Sequence, residues 1–466
     1  MMASTRATTL LVLFIVCVAG ALRLTALWAY PDAVHHDHML NGAAARALTL
    51  EHCVGRPYGV GGPVLVWTML SLRLFDAAVW ALRVPAAICG TLVVVAVYLI
   101  GRDLLSARIG LIAAALAACQ HVLLLFSRLP DVMEPVAPTL FAVWCAIRAW
   151  QRQSVSWAMA SGFLAGYALW GYWGGIFGGT VYIAGLGVAL FWAPAECWRR
   201  RWLGMAWLFV FVVSSPLPWG LDSSFRMQVV TRLHMAGSYD AAHWSFQWRQ
   251  GLTAIYGGRD AGTWGSWTNR SVLLWPDLVC LALAVLTVRR RAPQTPVIAA
   301  LLCAGILLIL FASVLPPDPG DFIHLLAFVP VVVVLEAIGI DALRFRPLMA
   351  IVVISIAAMH LTLLWGTVAR VSANGTTVAA VWMADHRAVA PCIALLRRPE
   401  DPEFPSAGLY ALVRDVPVRD DGGASVCPVA IVLPGATAPP WAALRGQWIS
   451  IASVDGPVKI WQDVGG

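Results

Sequence analysis

Residues 81–102 read ALRVPAAICGTLVVVAVYLIGR. Between Arg83 and Arg102 the stretch carries no charged side chain. A run of about 18 or more apolar residues is long enough to cross a ~30 Å hydrocarbon core as a helix. A helix is also the form in which a lone segment satisfies its own backbone in lipid. The stretch therefore predicts a transmembrane helix over 82–101. Comparable runs recur along most of the 466 residues, of which 60% are hydrophobic and 12% charged. Soluble domains carry about 25% charged residues, and the mean hydropathy here is +0.75. The chain reads as an all-α polytopic membrane protein, which excludes a soluble enzyme and makes nucleic acid an unexpected partner.

The net charge of +7 comes almost wholly from arginine, because Lys459 is the only lysine. Arginines in short loops mark the cytoplasmic side. With the N-terminus inside, the clusters at Arg6, Arg102 with Arg108, Arg148 with Arg152, Arg199 to Arg201, Arg289 to Arg291, and Arg344 with Arg346 all fall in the cytoplasm. Spans are expected near 9–29, 82–101, 109–127, 136–150, 156–172, 175–193, 203–220, 272–288, 296–314, 322–340 and 347–366. The first, Leu10 to Leu27, resembles a signal peptide but is expected to be kept as a span. About eleven spans, each ~20 residues long, place the C-terminus outside.

The membrane domain is expected over 1–366, with external loops 30–81, 127–138 and 221–271, and a soluble extracytoplasmic domain over 367–466. Pro63 to Leu72 is too short to span and suits the interface. Trp244, Trp248, Trp264 and Trp267 suit an interfacial belt. In the tail, apolar runs at Leu409 to Val413, Val426 to Leu433 and Trp448 to Ile451 follow a helical stretch near Val378 to Leu396. That pattern predicts a small α/β domain. Cys392 and Cys427 are its two cysteines and a candidate disulfide in an oxidising compartment.

Because the large loops are external, chemistry is expected there. The first loop opens with His35-His36-Asp37-His38. Asp37 is a candidate general base, metal ligand or N-cap of the helical run that follows. His35 and His38 are candidate ligands, but no second group with zinc spacing follows, so no metal is assigned. The second external turn holds Arg128, Asp131 and Glu134, which suit either a functional cluster or an ion pair at the water boundary. Arg232 stands among the arginines of loop 221–271 that can clamp phosphate or meet lipid head groups. Glu336 lies inside a span, paired with basic groups or protonated.

The order of these parts resembles the GT-C membrane glycosyltransferases of the protein mannosyltransferase and aminoarabinose-transferase type. The marks are the acid after the first span, Gly62-Pro63-Val64, Ala81-Leu82-Arg83-Val84-Pro85-Ala86, Gly90-Thr91-Leu92, and Tyr98-Leu99-Ile100-Gly101-Arg102. Ser127-Arg128, the run Ser161 to Tyr167, and the run Asp321 to Pro330 continue the series. The resemblance covers about residues 9 to 345 and leaves out the tail.

It implies transfer of a monosaccharide, with inversion, from a polyprenyl-phosphate sugar to an acceptor hydroxyl on lipid, glycan or protein at the outer face of the membrane, in a bacterial envelope. Asp37 matches the first-loop acid and would take the acceptor proton. Asp131 or Glu134 matches the second-loop acid, which would orient the acceptor or help hold a divalent cation. Arg128, Arg232 and His324 are the candidates for the donor phosphate. Family members commonly carry Asp-Glu where this chain has Asp37-His38, so His38 stands in the place of a ligand or orienting group. A transporter or lipid flippase is the reading from another class, but transporters favour polar groups at mid-membrane and internal repeats. A catalytically silent relative in an envelope assembly is the third.

Overall fold

The computed structural model describes residues 5–25, 62–75, 79–130, 132–171, 194–215, 273–287, 328–343 and 345–368, parts of 240–249, strand segments of the tail, and isolated residues at 27, 42, 45, 303 and 326. The chain divides into two units, one of 1–25, 51–64 and 86–367, the other of 26–50, 65–85 and 368–466.

The helices of the first unit follow the apolar runs. They are α1 (Thr5–Leu24), α3 (Val84–Leu104), α4 (Ala107–Cys119), α5 (His121–Phe126), α6 (Val136–Arg152), α7 (Val155–Ala168), α8 (Pro194–Arg199), α9 (Arg201–Ser214), α10 (Trp275–Thr287), α11 (Phe328–Asp341) and α12 (Arg346–Val368), while α2 (Gly62–Leu74) runs from this unit into the other. Among the described residues, Arg6–Leu24, Trp80–Leu104 and Arg346–Leu364 are long and apolar enough to cross a membrane. The expected spans at 175–193 and 296–314 lie outside the described residues.

Local chemistry sets the ends. Pro85 sits in the first turn of α3, where its missing N–H costs no helical bond. Ser106 caps α4 by accepting the Ile109 N–H at 3.2 Å. Gln153 ends α6 in the left-handed region, with φ of 51°, before α7 begins.

One expectation is corrected. The span predicted as continuous over 109–127 is broken at Gln120, whose φ of −60° and ψ of 121° are extended. Its N–H still closes α4 onto the Leu116 carbonyl. Its side chain accepts the Leu123 N–H at 2.8 Å and so starts α5.

Small residues let helices approach. Gly162 and Gly166 form a G-x-x-x-G stripe on α7. A Cβ at Gly162 would lie 2.4 Å from the Trp207 carbonyl oxygen, and one at Gly166 would lie 2.1 Å from Ser214 Oγ, both on α9. Ser161 reinforces the seam, donating to the Ala142 carbonyl of α6 at 2.8 Å and accepting Trp207 Nε1 at 3.1 Å.

At one end of the unit Asp103 gathers Arg102 Nε at 2.6 Å, Trp144 Nε1 at 2.8 Å and Arg148 at 3.4 Å. Arg108 pairs with Asp341 at 2.9 Å. These contacts tie together the ends of α3, α4, α6 and α11.

In the second unit a 3-10 turn, Val79–Arg83, follows α2. Ser71 donates to the Ala81 carbonyl at 2.6 Å, and Arg83 to the Leu27 carbonyl at 2.8 Å. The tail holds β1 (Ile393–Leu396), β2 (Val418–Arg419), β3 (Val429–Val432), β4 (Gln447–Ile451) and β5 (Val458–Gln462) in the order β2-β1-β3-β5-β4. β1 runs parallel to β2 and β3, with Ile393 opposite Val418 and Val429. β5 runs antiparallel to β3 and β4. Ile393–Leu396, expected as the end of a helix, is a strand. Its four apolar residues carry no period that separates the two forms, and pairing on both sides decides.

Candidate functional site

At the end of the first unit where α1 stops and α5 gives way to the turn 127–135, two buried arginines cross. Arg23, in the last turn of α1, is wholly buried. Its Nε donates to Ser127 Oγ at 3.1 Å. One terminal nitrogen donates to the Ala19 carbonyl at 3.1 Å and the Ala118 carbonyl at 3.2 Å, the other to the Ala117 carbonyl at 3.1 Å.

The break at Gln120 explains these contacts. In an unbroken helix the carbonyls of Ala117 and Ala118 would accept the N–H groups four residues on. An extended Gln120 withdraws those donors, and a buried carbonyl without a donor costs about 1–3 kcal/mol. Arg23 supplies the replacement. Its fork of five donors on a fixed plane suits several acceptors at once.

Arg128 reciprocates. It is 6% exposed and donates to the carbonyls of Leu22 and Thr25, the latter at 2.8 Å, at the end of α1. The C-terminal carbonyls of a helix carry partial negative charge, so a guanidinium there is favourable. Ser127 completes the clasp by donating to the Leu123 carbonyl. Arg23 thus closes the end of α4, and Arg128 the end of α1.

Gly90 on α3 lies under the clasp. A Cβ there would stand 1.9 Å from Ser127 Oγ and 3.0 Å from Arg23 Nε. Gly90→Ala is therefore expected to push Ser127 off Arg23 and lower stability by about 1–3 kcal/mol, the usual cost of overpacking, as a thermal unfolding scan in lipid would read.

Of the residues singled out in the sequence, Arg128 and Glu134 are described and share this turn. Glu134 is 2% exposed and interacts electrostatically with Cys89 of α3. Pro135 follows, with Gly171 packed so that a Cβ on it would meet the Pro135 ring at 2.4 Å. Asp37, His35, His38, Asp131, Arg232, His324, Cys392 and Cys427 lie outside the described residues. Arg23 was missed from sequence, although a lone arginine closing an apolar run is the signal that marks such groups.

Residues 60–219 match the family model described as dolichyl-phosphate-mannose-protein mannosyltransferase. The fold is similar to that of ArnT from Cupriavidus metallidurans bound to undecaprenyl phosphate, with a TM-score of 0.59, 15% identity, and 99% of each chain covered. The apo state of that protein gives 0.55, 14% and 98% of each chain. The Archaeoglobus fulgidus oligosaccharyltransferase in its apo form gives 0.57 and 13%, over 89% of this chain and 64% of that one. No curated protein sequence matches the chain.

The fold is similar to that of GT-C membrane glycosyltransferases. The similarity to ArnT extends along both chains.

Proposed function

We propose that the chain is a membrane glycosyltransferase that moves a monosaccharide from a polyprenyl-phosphate sugar to an acceptor hydroxyl at the extracytoplasmic face, with inversion at the anomeric carbon. The observation that carries this reading is the arginine clasp, which joins the end of α1 to the turn holding Arg128 and Glu134. The first-loop acid Asp37 follows the one in sequence, and Asp131 lies within the other. The fold shared along its length with an undecaprenyl-phosphate-bound ArnT supports a lipid-linked donor.

In this reading Asp37 accepts the proton of the acceptor hydroxyl as its oxygen attacks C1, the task of a positioned carboxylate. Asp131 and Glu134 orient the acceptor or help hold a divalent cation, with His38 in the place of a further orienting group. The leaving polyprenyl phosphate needs cationic or N–H partners as charge develops on it. Arg128, Arg232 and His324 serve there. The carbonyls that Arg128 binds do not neutralise its guanidinium, so its charge still acts on the turn. Eleven spans, an outward C-terminus, a tail domain of α/β type closed by a Cys392–Cys427 disulfide, and a bacterial inner-membrane location complete the proposal.

A pool of polyprenyl-phosphate hexoses and pentoses, given to the reconstituted full chain together with a membrane-envelope extract that supplies lipid, glycan and protein hydroxyl acceptors, tests it. One donor is expected to disappear as free polyprenyl phosphate accumulates, with the product sugar inverted by NMR. Retained configuration, or no donor consumed, would overturn the reading.

A further inference from the structure

Where α6 stops and α9 starts, arginines lie on tryptophan rings. Arg200 donates to the Trp150 carbonyl and stands 4.4 Å from the centroid of the Trp150 ring, which holds the start of α9 against the end of α6. Arg201, the first residue of α9, lies over the Trp198 ring at 4.9 Å and donates one terminal nitrogen to the Trp198 carbonyl at 3.1 Å. Trp198 is 71% exposed, and Arg201 is exposed beside it. Among the described residues no carboxylate pairs with Arg201, whereas Arg102 and Arg148 pair with Asp103 and Arg108 with Asp341. Arg152, exposed in the last turn of α6, adds positive charge at the same end.

A cation over an indole is drawn to the negative face of the ring but keeps its charge. A guanidinium has five N–H donors in a fixed fork, and the Trp198 carbonyl takes one of them. Nε and the second terminal nitrogen of Arg201 are the pair that grips two oxygens of a single phosphate.

An apolar surface continues from this cation. One face of α9 packs on α7, where a Cβ at Gly162 would meet the backbone of Trp207 and Phe211. The opposite face leaves Met205, Leu208, Phe209 and Val212 exposed, with Met205 at 68% and Phe209 at 70%. Their spacing of three and four residues makes one stripe leading away from Arg201. From 201 to 213 it runs about 18 Å at ~1.5 Å per residue, slightly more than half of a ~30 Å hydrocarbon core. An ionic head at Arg201 thus has a full acyl chain's length of apolar surface beneath it.

Gly204 leaves a gap between the cation and the stripe. A Cβ there would meet nothing within 4 Å, so no packing contact requires glycine. A helical side chain leans toward the N-terminus and covers the turn before its own Cα. Any side chain at 204 would therefore cover the surface next to Arg201, which glycine leaves bare.

We propose that the start of α9 is a binding site for an anionic phospholipid with two acyl chains. Arg201 holds the phosphate, Trp198 borders the head group, the glycerol linkage lies over Gly204, and one chain follows Met205 to Val212. A soluble anion would leave the stripe uncovered, and a zwitterionic lipid would bring a cation of its own against Arg201 and Arg152. The turn 127–135 lies at the other end of α6, about 25 Å away at ~1.5 Å per residue, so this lipid is distinct from the sugar donor.

Photolabelling of the full chain in phosphatidylcholine bilayers tests the proposal. Trace phosphatidylglycerol or phosphatidylcholine, each carrying a diazirine on one acyl chain, is activated by light, and the labelled residues are read by peptide mass spectrometry. Residues 204–213 are expected to take about five times more label from phosphatidylglycerol, the preference that one arginine gives near anionic lipid. Arg201→Gln should bring the two lipids nearly level. Gly204→Leu should do the same with the thermal midpoint unchanged, since its side chain enters open space. Equal labelling of the wild type by the two lipids would overturn the proposal without any variant. A preference that survives in either folded variant would overturn it, as would a label displaced more readily by polyprenyl phosphate than by phosphatidylglycerol. A stripe that takes no lipid label because a second copy of the chain is cross-linked to it would overturn it equally.

Discussion

Asp37→Asn is expected to slow sugar transfer by about 10²–10⁴-fold, the range that a positioned general base supplies, or about 3–5 kcal/mol of transition-state stabilisation. The amide keeps the size and most of the hydrogen bonding of the acid but cannot take a proton at neutral pH. The loss should therefore fall on kcat, with the KM for the lipid donor nearly unchanged, since an interaction made only in the transition state is the one removed. The same variant separates the two readings that the first loop leaves open. Asparagine is as good an N-cap as aspartate, so a capping role alone predicts unchanged stability and unchanged transfer. Steady-state rates with a single lipid-linked donor, beside a thermal scan of the same preparation, distinguish the two outcomes.

Arg23→Leu is expected to cause the largest loss of stability among single changes at the clasp. The leucine would fill much of the space but give no donor to Ser127, Ala117 or Ala118. Each buried acceptor left without a donor costs about 1–3 kcal/mol. Ser127 also holds the Leu123 carbonyl, so the losses do not simply add. A total on the order of 3 kcal/mol or more is expected, read as a fall of several degrees in the unfolding midpoint in lipid. Arg23→Lys should recover only part of it, because an ammonium keeps the charge but not the planar fork. Transfer should fall with stability, since the turn 127–135 is what Arg23 holds. A folded Arg23→Leu protein with an unchanged midpoint would show that the clasp is not what fixes that turn.

The helices were legible in the sequence because their signal is local. Apart from the break at Gln120, the apolar runs between arginine clusters are helical where the structure describes them. The break at Gln120 was not legible, because the residues on both sides are equally apolar and only the pair Gln120-His121 departs from the pattern. Arg23 had a visible signal, yet its partners at Ala117 and Ala118 are 94 and 95 residues away, and carbonyls leave no trace in composition. His121 and His360, whose Nδ1 atoms lie 2.8 Å apart, are separated by 239 residues, and each reads alone as one polar residue in an apolar run.

Glu336 stood out as an ionisable group within a span, but the described charge beside it is another carboxylate, Asp277, not a base. In the tail, Val429–Val432 and Gln447–Ile451 fall in or across runs rich in β-branched residues. Ile393–Leu396 becomes a strand only through its neighbours. The acids and cations of the external loops were named from their order along the chain, and of these the described turn holds Arg128 and Glu134.

The most direct test of the central claim is a single-turnover experiment in lipid bilayers, with one consumable polyprenyl-phosphate sugar, the acceptor fraction that receives it, and an excess of wild-type or Asp37→Asn protein. The account predicts that the wild type releases polyprenyl phosphate and forms an inverted glycoside, while the variant binds the same donor and leaves it intact. Equal release by the two proteins would contradict it.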